Sequence, residues 1–206
     1  MRLKESVRKA VVSQFMRPRG VGGWLAGWEM ALRPSNRKRN SWAVGLLEVG
    51  PCDRVLEIGF GPGLAIRELT RLATRGHVCG IDHSAEMVRQ ARKRNARVVR
   101  AGLVDLRLGS AEGLPRFDQP FDKVLAVNSL GMWHDPEARL KELRRVLAPG
   151  GRIAIVSQPR CPGATAEITW LGEREIAERL ERAGFTGVRL ETLALSPPVV
   201  CVLGVR

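Results

Sequence analysis

The chain has 206 residues, of which 44% are hydrophobic and 27% charged, as in an ordinary globular protein. This composition excludes a disordered tail and a fibrous repeat, and no apolar run approaches the roughly 18 residues of a membrane span. Lys and Arg together number 34 against 21 Asp and Glu, a net charge of +13, which raises nucleic acid or an anionic membrane as partners.

From about residue 53, short apolar runs alternate with amphipathic stretches. Strands are predicted at 55–58, 77–81, 104–108, 121–128 and 152–157. Helices are predicted at 64–74, 85–95, from 136 to the turn at 149–151, and at 172–183. This alternation is typical of a parallel sheet covered on both faces. Two final strands, at 188–195 and 199–205, are joined by a short proline turn that suits an antiparallel pair. We therefore expect an α/β fold with a doubly wound, seven-stranded sheet, mostly parallel with an antiparallel last strand, preceded by a short N-terminal helical segment.

The positive charge is uneven along the chain. Residues 1–50 carry ten basic and three acidic side chains, a net of +7, and the remaining residues carry the other +6. Arg supplies 28 of the 34 basic residues, as coding bias in a GC-rich genome would do without any ligand. The basic run from Arg89 to Arg100 contains no aromatic residue, so it is more typical of a solvated helix face than of a nucleic-acid surface.

The first predicted strand runs into a loop with glycines at alternate positions. Gly59, Gly61 and Gly63 let the backbone turn sharply and let a ligand approach without a Cβ in the way. The helix that follows offers free N–H groups and the positive end of its dipole, which suit a carboxylate or phosphate. The spacing matches neither G-x-G-x-x-G nor the phosphate-binding G-x-x-x-x-G-K-[ST]. Asp82, which stands 19 residues after Gly63 at the end of the second strand, is placed to accept hydrogen bonds from both ribose hydroxyls of an adenosine.

With these motifs in this order, the chain resembles the class I S-adenosylmethionine-dependent methyltransferases, in particular the group that acts on small molecules. The resemblance covers roughly residues 50–206. It rests on VLEIGFGPG (55–63), GIDHSAEMV (80–88), LRLGSAEGLP (106–115), FDKVLAVNSL (121–130) and LKELRRVLAPGGRIAIVS (140–157). It implies a Rossmann-like fold with a reversed seventh strand, S-adenosylmethionine as cofactor and S-adenosylhomocysteine as product.

The resemblance also implies which residues bind the cofactor: Glu57, Gly59, Phe60, Gly61, Gly63, Asp82, His83, Ser110, Ala111, Glu112 and Asn128. Glu57 would organise the loop and the methionine amino end, Asp82 would hold the ribose, and His83 would lie against the adenine. The glycines would pass close to the cofactor.

Adenine recognition departs from the family pattern. Ala111 would offer its backbone N–H to the ring, and Asn128 would lie near the methionine moiety. Ser110 stands where the family commonly has Asp, so an uncharged hydroxyl would hold the adenine amino group, with Glu112 sharing the task.

Few residues are candidates for catalysis. A sulfonium methyl group is already activated, so the enzyme must mainly align a nucleophile and exclude water. A general base is needed only where the nucleophile starts protonated. His134, just after the fourth strand, is the candidate base. Ser129 and Trp133 at the same strand end, with Trp24 and Trp28 from the front segment, are candidate substrate contacts.

Motifs for several other chemistries are missing from the sequence. The segment 128–131 reads Asn-Ser-Leu-Gly, whereas amino-methylating DNA, RNA and glutamine enzymes carry Asn/Asp-Pro-Pro-aromatic there. The fourth strand also lacks the Pro-Cys pair of cytosine-C5 enzymes. The four cysteines have no metal-ligand spacing, so no metal is predicted. The start lacks the apolar stretch of a secretory signal, and we expect a cytoplasmic location.

Residues 1–50 are predicted to form a helical lid over cofactor and substrate, and residues 51–206 the methyltransferase domain. Ordinary packing helices with a solvated basic face are an alternative for the front segment, as is an interfacial helix that makes peripheral contact with anionic lipid. The expected function is methyl transfer from S-adenosylmethionine to a small organic acceptor at O, N or C. The alternatives are an RNA methyltransferase, motivated by the charge, and a non-catalytic S-adenosylmethionine-binding protein, motivated by the lack of an evident base.

Overall fold

A computed structural model describes residues 20–159 and 163–206. The described helices are α1 (Gly20–Leu32), α2 (Pro34–Leu46), α3 (Leu64–Leu72), α4 (Ala85–Arg94), α5 (Ala96–Arg100), α6 (Pro136–Val146) and α7 (Ala166–Arg182), with a short 3₁₀ helix at Leu130–Met132. The strands are β1 (Arg54–Ile58), β2 (His77–Asp82), β3 (Val104–Leu108), β4 (Phe121–Val127), β5 (Leu147–Ser157), β6 (Thr186–Leu193) and β7 (Val199–Val205).

All seven strands form one sheet in the order β3-β2-β1-β4-β5-β7-β6. The first five pair in parallel, and β7 runs antiparallel to both of its neighbours. The predicted α/β fold with one reversed last strand is thus confirmed. The chain runs outward from β1 to β3 and then crosses back to β4 on the other side of β1. Ligands of open α/β sheets bind at such a switch point, outside the carboxyl ends of the strands.

Two helix starts follow directly from local sequence. The Ser84 hydroxyl accepts a hydrogen bond from the Met87 N–H at 3.4 Å, and the Asp135 carboxylate accepts one from the Ala138 N–H at 3.1 Å. Each side chain satisfies an N–H group that the first helical turn leaves free. These caps start α4 and α6 at the carboxyl edge of the sheet, next to the cavities described below.

The last helix is longer than predicted. It begins at Ala166 rather than at residue 172, and the Thr165 hydroxyl caps it by accepting a hydrogen bond from the Ile168 N–H. Its first turns leave Ile168, Trp170 and Leu171 exposed. The amphipathic pattern therefore becomes regular only farther along the helix.

Helices bury both faces of the sheet. On one face, α2 contributes Ala43 and Val44, and Leu47 follows them into the same core as α3 and α4. On the other face, α6 and α7 contribute Leu140 and Leu180 among others. The second half of the predicted lid segment is therefore part of the hydrophobic core.

Helix α1 lies outside these layers and packs on α4. Gly27 allows the close approach, because a Cβ there would lie 2.6 Å from the Met87 Cε atom. The Gln90 side chain adds a hydrogen bond to the Trp24 carbonyl oxygen at 3.1 Å. No helix in the described part of the chain is both long and apolar enough to cross a membrane.

Candidate active site

Two connected cavities lie at the carboxyl edge of the sheet. The larger, about 1050 Å³, extends over the ends of β1 and β2 toward the loop after β3. The smaller, about 540 Å³, extends over the ends of β1, β4 and β5 and under α1 and α2. Both are lined by Gly59, Asp82, His83 and Met132, so one elongated ligand can occupy the two together.

The glycine loop is held in a conformation that side chains disfavour. Gly59, Gly61 and Gly63 have φ angles of +76°, +52° and +78°. A Cβ on Gly59 would lie 2.5 Å from the Ser129 Cβ, whereas no described atom lies within 4 Å of a Cβ built on Gly61. The loop is therefore packed against the segment after β4 at its first glycine and faces open space at its second.

Asp82 is buried beneath this loop, with 4% of its surface exposed. Its carboxylate accepts hydrogen bonds from the Gly61 N–H at 2.8 Å and from the Ser84 N–H at 2.9 Å. Burial raises the pKa of Asp82, and these two N–H groups partly offset the rise. Each carboxylate oxygen has a second lone pair for a further donor. The position therefore suits the predicted ribose contact.

Glu57 is the other buried acid of the site, with 1% of its surface exposed. Its Oε2 atom has no hydrogen-bond partner among residues 20–159 and 163–206. Burial, followed by the negative charge of Asp82, raises the pKa of Glu57 to about 8. A nearby cation favours the carboxylate form of such a group. Glu57 lines the smaller cavity, so the ammonium group of a bound methionine moiety fits this residue.

Residues 110–112 line the larger cavity together with His83, as the adenine prediction requires. The Ser110 hydroxyl accepts a hydrogen bond from the Glu112 N–H at 3.2 Å. The Glu112 carboxylate accepts one from the His134 N–H at 3.0 Å, which lowers the pKa of Glu112. Both side chains thus already order the loops on either side of the cavity, and their contact with adenine stays a prediction.

The segment after β4 contributes residues to the lining of both cavities. Asn128 adopts a φ of +55°, lines the smaller cavity, and accepts a hydrogen bond from the Gln158 N–H at 2.8 Å. The buried Ser129 hydroxyl donates to the Ile58 carbonyl at 2.7 Å. Trp133 is mostly buried in the core and lines the larger cavity beside His134. The structure therefore brings these four predicted residues together at one strand end.

Trp24 and Trp28 lie elsewhere. Their ring centroids are 5.9 Å apart on α1, and 41% and 50% of their surfaces are exposed. Neither residue lines either of the two cavities in the described part of the structure. Their role as substrate contacts stays a prediction without support from the cavity geometry.

The front segment reaches the cavities through other residues. These are Gly20, Met30, Arg33, Asn36, Arg39 and Asn40. The stretch 36–40 reads NRKRN, which looks like a solvated basic run, but in the structure only Arg37 and Lys38 of these five are exposed. The burial of residues 36, 39 and 40 could have been inferred from helical spacing, because these residues share a helix face with the apolar residues 43, 44 and 47.

No group of three or more potential metal ligands occurs among the described residues. Cys52 is exposed, and Cys79 and Cys201 are buried thiols. Cys161 lies outside the described residues.

A glycine loop after β1, a buried Asp at the end of β2 and a double cavity at the switch point define a domain that binds a nucleoside-containing cofactor. Comparison with known proteins narrows this class. Residues 56–155 match the family model described as a methyltransferase domain. The chain is 34% identical over 178 residues to the uncharacterized methyltransferase YdaC of Bacillus subtilis (strain 168), covering 86% of this chain and 95% of that protein.

Other similar proteins agree. The ubiquinone/menaquinone biosynthesis C-methyltransferase UbiE of Geotalea daltonii is 31% identical over 128 residues, covering 61% of this chain and 54% of that protein. The crystal structure of a SAM-dependent methyltransferase from Aquifex aeolicus superimposes with a TM-score of 0.69 at 22% identity, covering 86% of this chain and 95% of that one. The chain belongs to the methyltransferase-domain family of class I S-adenosylmethionine-dependent methyltransferases. It is an enzyme, and S-adenosylmethionine is its cofactor.

Proposed function

We propose that this methyltransferase acts on a small organic acceptor, at an O, N or C atom, within the smaller cavity. The proposal rests on the volume of that cavity and on the front-segment residues that cover it. Its volume of about 540 Å³ lies in the range of small-molecule sites, and Met30 and Arg33 of the front segment line it opposite β4. This arrangement supports a compact acceptor rather than a long polymer.

The residues of the chain have distinct tasks in such a reaction. S-adenosylmethionine supplies the activated methyl group when it is bound. Asp82 and the glycine loop would hold its nucleoside part, and Glu57 would hold its methionine ammonium group. Apolar side chains around the acceptor, such as Leu130 and Val156, exclude water and so favour attack by the intended nucleophile. His134 is the proposed base for an acceptor that starts protonated. It lines only the larger cavity, so an acceptor in the smaller cavity would have to extend past Met132, which lines both cavities, to reach it.

We also propose that the front segment acts as a lid. Met30 and Arg33 come from the end of α1 and the junction with α2, and both line the smaller cavity. The junction is ordered by the Asn36 side chain, which donates to the Met30 carbonyl at 2.7 Å. An opening movement of α1 alone would expose the cavity without disturbing the core residues of α2.

The RNA alternative loses part of its support in the structure. The basic run on α4 is partly engaged within the protein: Arg89 pairs with Glu86 at 2.8 Å, Arg92 donates to the Leu106 carbonyl at 2.7 Å, and Arg94 donates to the Pro62 carbonyl. These arginines stabilise the helix and the glycine loop. Their number is therefore a poor measure of the charge that is available for a phosphate backbone.

A labelling experiment tests the proposal. The enzyme is incubated with S-adenosylmethionine carrying a tritiated methyl group and, in parallel, with a metabolite fraction below about 1 kDa and with total RNA of the same cells. We expect label in the small-molecule fraction that ribonuclease does not alter, and none with Asp82→Ala. Label in acid-precipitable, ribonuclease-sensitive material would contradict the proposal. Binding of S-adenosylhomocysteine without label in the small-molecule fraction would also contradict the proposal.

A further inference from the structure

Helix α1 exposes its largest apolar side chains. Half or more of the surface of Leu25, Trp28 and Leu32 is exposed, and so is 41% of the surface of Trp24. The other three lie three or four residues from Trp28, so all four are neighbours on the helix surface and form the apolar face of α1. The residues that α1 buries are small: Gly23, Ala26, Gly27 and Ala31. A contiguous group of exposed, large apolar side chains marks an interaction site.

Three arginines lie at the C-terminal end of this face. The Arg37 Nε atom donates to the Ala31 carbonyl at 3.1 Å, next to Leu32. Burial lowers the pKa of Arg94, and the nearby positive charges of Arg37 and Arg67 lower it further. Helices α2, α3 and α4 each supply one of these three arginines, which together form the basic cluster.

The charge of the basic cluster is not cancelled by acidic side chains. In residues 20–159 and 163–206, none of its three guanidinium groups forms an ion pair with Asp or Glu. Arg37 and Arg94 donate instead to neutral carbonyl oxygens, Arg94 to that of Pro62. The acidic residue of α1, Glu29, is paired with Arg33. The cluster therefore favours an anionic partner.

The apolar face and the basic cluster lie beside the active site and outside it. In the described part of the chain, none of their seven residues lines either of the two cavities. Met30 and Arg33, from the same segment, do line the smaller cavity, and so does Pro62, which accepts the hydrogen bond from Arg94. The two features thus form the outer side of the proposed lid.

A bilayer surface that contains anionic lipid matches both features. Tryptophan is favoured at the level of the lipid headgroups, leucine side chains are buried at the boundary with the acyl chains, and arginine is attracted to anionic headgroups. A second copy of the chain fits less well, because a two-fold contact through this surface would bring two basic clusters together. RNA also fits less well, because Leu25 and Leu32 have no ring on which a base could stack.

We propose that the apolar face of α1 and the basic cluster form a docking surface for an anionic lipid bilayer. Trp24 and Trp28 would lie among the headgroups, and the guanidinium groups of Arg37 and Arg67 beside the lipid phosphates. The docked enzyme would then present the mouth of its smaller cavity close to the membrane. This inference goes beyond methyl transfer and does not depend on which acceptor is methylated.

Sedimentation of the full chain with lipid vesicles tests the proposal. At about 0.15 M salt, we expect the partition coefficient to be at least about tenfold higher for vesicles of phosphatidylcholine and phosphatidylglycerol in equal parts than for pure phosphatidylcholine. Leu25→Ser and Trp28→Ser should each weaken binding to the mixed vesicles at least about fivefold. Arg37→Gln and Arg67→Gln should each weaken it about fivefold.

Two matched variants serve as controls. Leu190 is exposed on β6, at the opposite edge of the sheet from β3, and Arg145 is exposed on α6, which covers the other face of the sheet from α2. Leu190→Ser and Arg145→Gln should change the partition coefficient by no more than about twofold. All substituted side chains are exposed, and circular dichroism checks that each variant folds.

Several results would overturn the proposal. They are no sedimentation with the mixed vesicles, equal sedimentation with both kinds of vesicle, and an unchanged partition coefficient in either the apolar or the arginine variants. A homodimer that Leu25→Ser dissociates would assign the apolar face to a second copy of the chain. Tighter binding to total RNA than to the vesicles, weakened by the same substitutions, would assign the surface to RNA. Label transfer to RNA with intact vesicle binding would instead refute only the proposed function.

Discussion

Replacement of Gly59 by Ala should destabilise the fold more than the same replacement at Gly61, although both glycines have positive φ. Any L-residue in this left-handed region costs roughly 1–2 kcal/mol, so that penalty is common to both variants. Only at Gly59 would the new methyl group meet another side chain, because a Cβ there lies 2.5 Å from the Ser129 Cβ. Overpacking of a closed site adds about 1–3 kcal/mol. Gly59→Ala should therefore cost about 1–3 kcal/mol more than Gly61→Ala.

Urea unfolding followed by circular dichroism measures this difference. With a slope of about 2 kcal/mol per molar urea, the two midpoints should differ by roughly 0.5–1.5 M. Ser129→Gly removes the opposing Cβ, so the double variant with Gly59→Ala should recover most of the additional loss. Ser129→Ala keeps the Cβ and should not. Equal midpoints for the two alanine variants, or no recovery with Ser129→Gly, would refute the assignment of the cost to this contact.

Four further predictions concern the buried acids Glu57 and Asp82 and the proposed base His134. Because burial raises the pKa of Glu57 to about 8, Glu57 is mostly protonated at pH 7, and binding of the methionine ammonium group should release close to one proton. Calorimetry in buffers of different ionisation enthalpy measures this release. The Glu57→Gln variant, and the wild-type protein with the ligand 5′-methylthioadenosine, should show no release. Between pH 4.5 and about 8 the folded state keeps the Glu57 proton while the unfolded state loses it. The free energy of unfolding should therefore decrease as pH rises through that window, by at most about 1.4 kcal/mol per pH unit. This decrease should be smaller in Glu57→Gln. Asp82→Ala should weaken S-adenosylhomocysteine binding by more than about tenfold, because the ribose contacts are lost. The unfolding midpoint is the control, since the Gly61 and Ser84 N–H groups also lose their acceptor in this variant. An unchanged affinity would contradict the proposed role of Asp82. His134→Ala should lower the methyl-transfer rate at least about 100-fold and leave S-adenosylhomocysteine affinity unchanged, and an unaltered rate would show that His134 is not the base.

The features that sequence predicts well here are local ones. The caps Ser84 and Asp135 act on N–H groups three residues away, and the positive φ angles of the glycine loop require the residue type that stands there. The seven strands are predicted by short apolar runs, each about as long as one strand. The reversed last strand follows from the absence of a helix between β6 and β7.

The features that sequence misses depend on what packs against each residue. Arg39 and Lys38 are neighbours in one basic run, yet Arg39 is buried and Lys38 exposed, because only Arg39 turns toward β5. Trp24 and Trp28 both lie on α1, but nothing in the sequence says whether their side chains meet the cavity. Gln158 follows β5 and belongs to no sequence motif. Its contacts with the Pro197 carbonyl and with Arg39 join segments that are distant in the chain, so only the folded structure shows them.

The position of β7 has a consequence for the order of folding. β7 lies between β5 and β6 although it follows both in the chain, so β6 cannot join the sheet before β7 is inserted. Until then the edge of β5 is unpaired, and unpaired edges are sites of aggregation. The Pro197 carbonyl that fixes Gln158 stands just ahead of β7. The half of the site that is built on β1 and β2 can therefore form early, whereas the half next to Gln158 forms only in the step that closes the sheet.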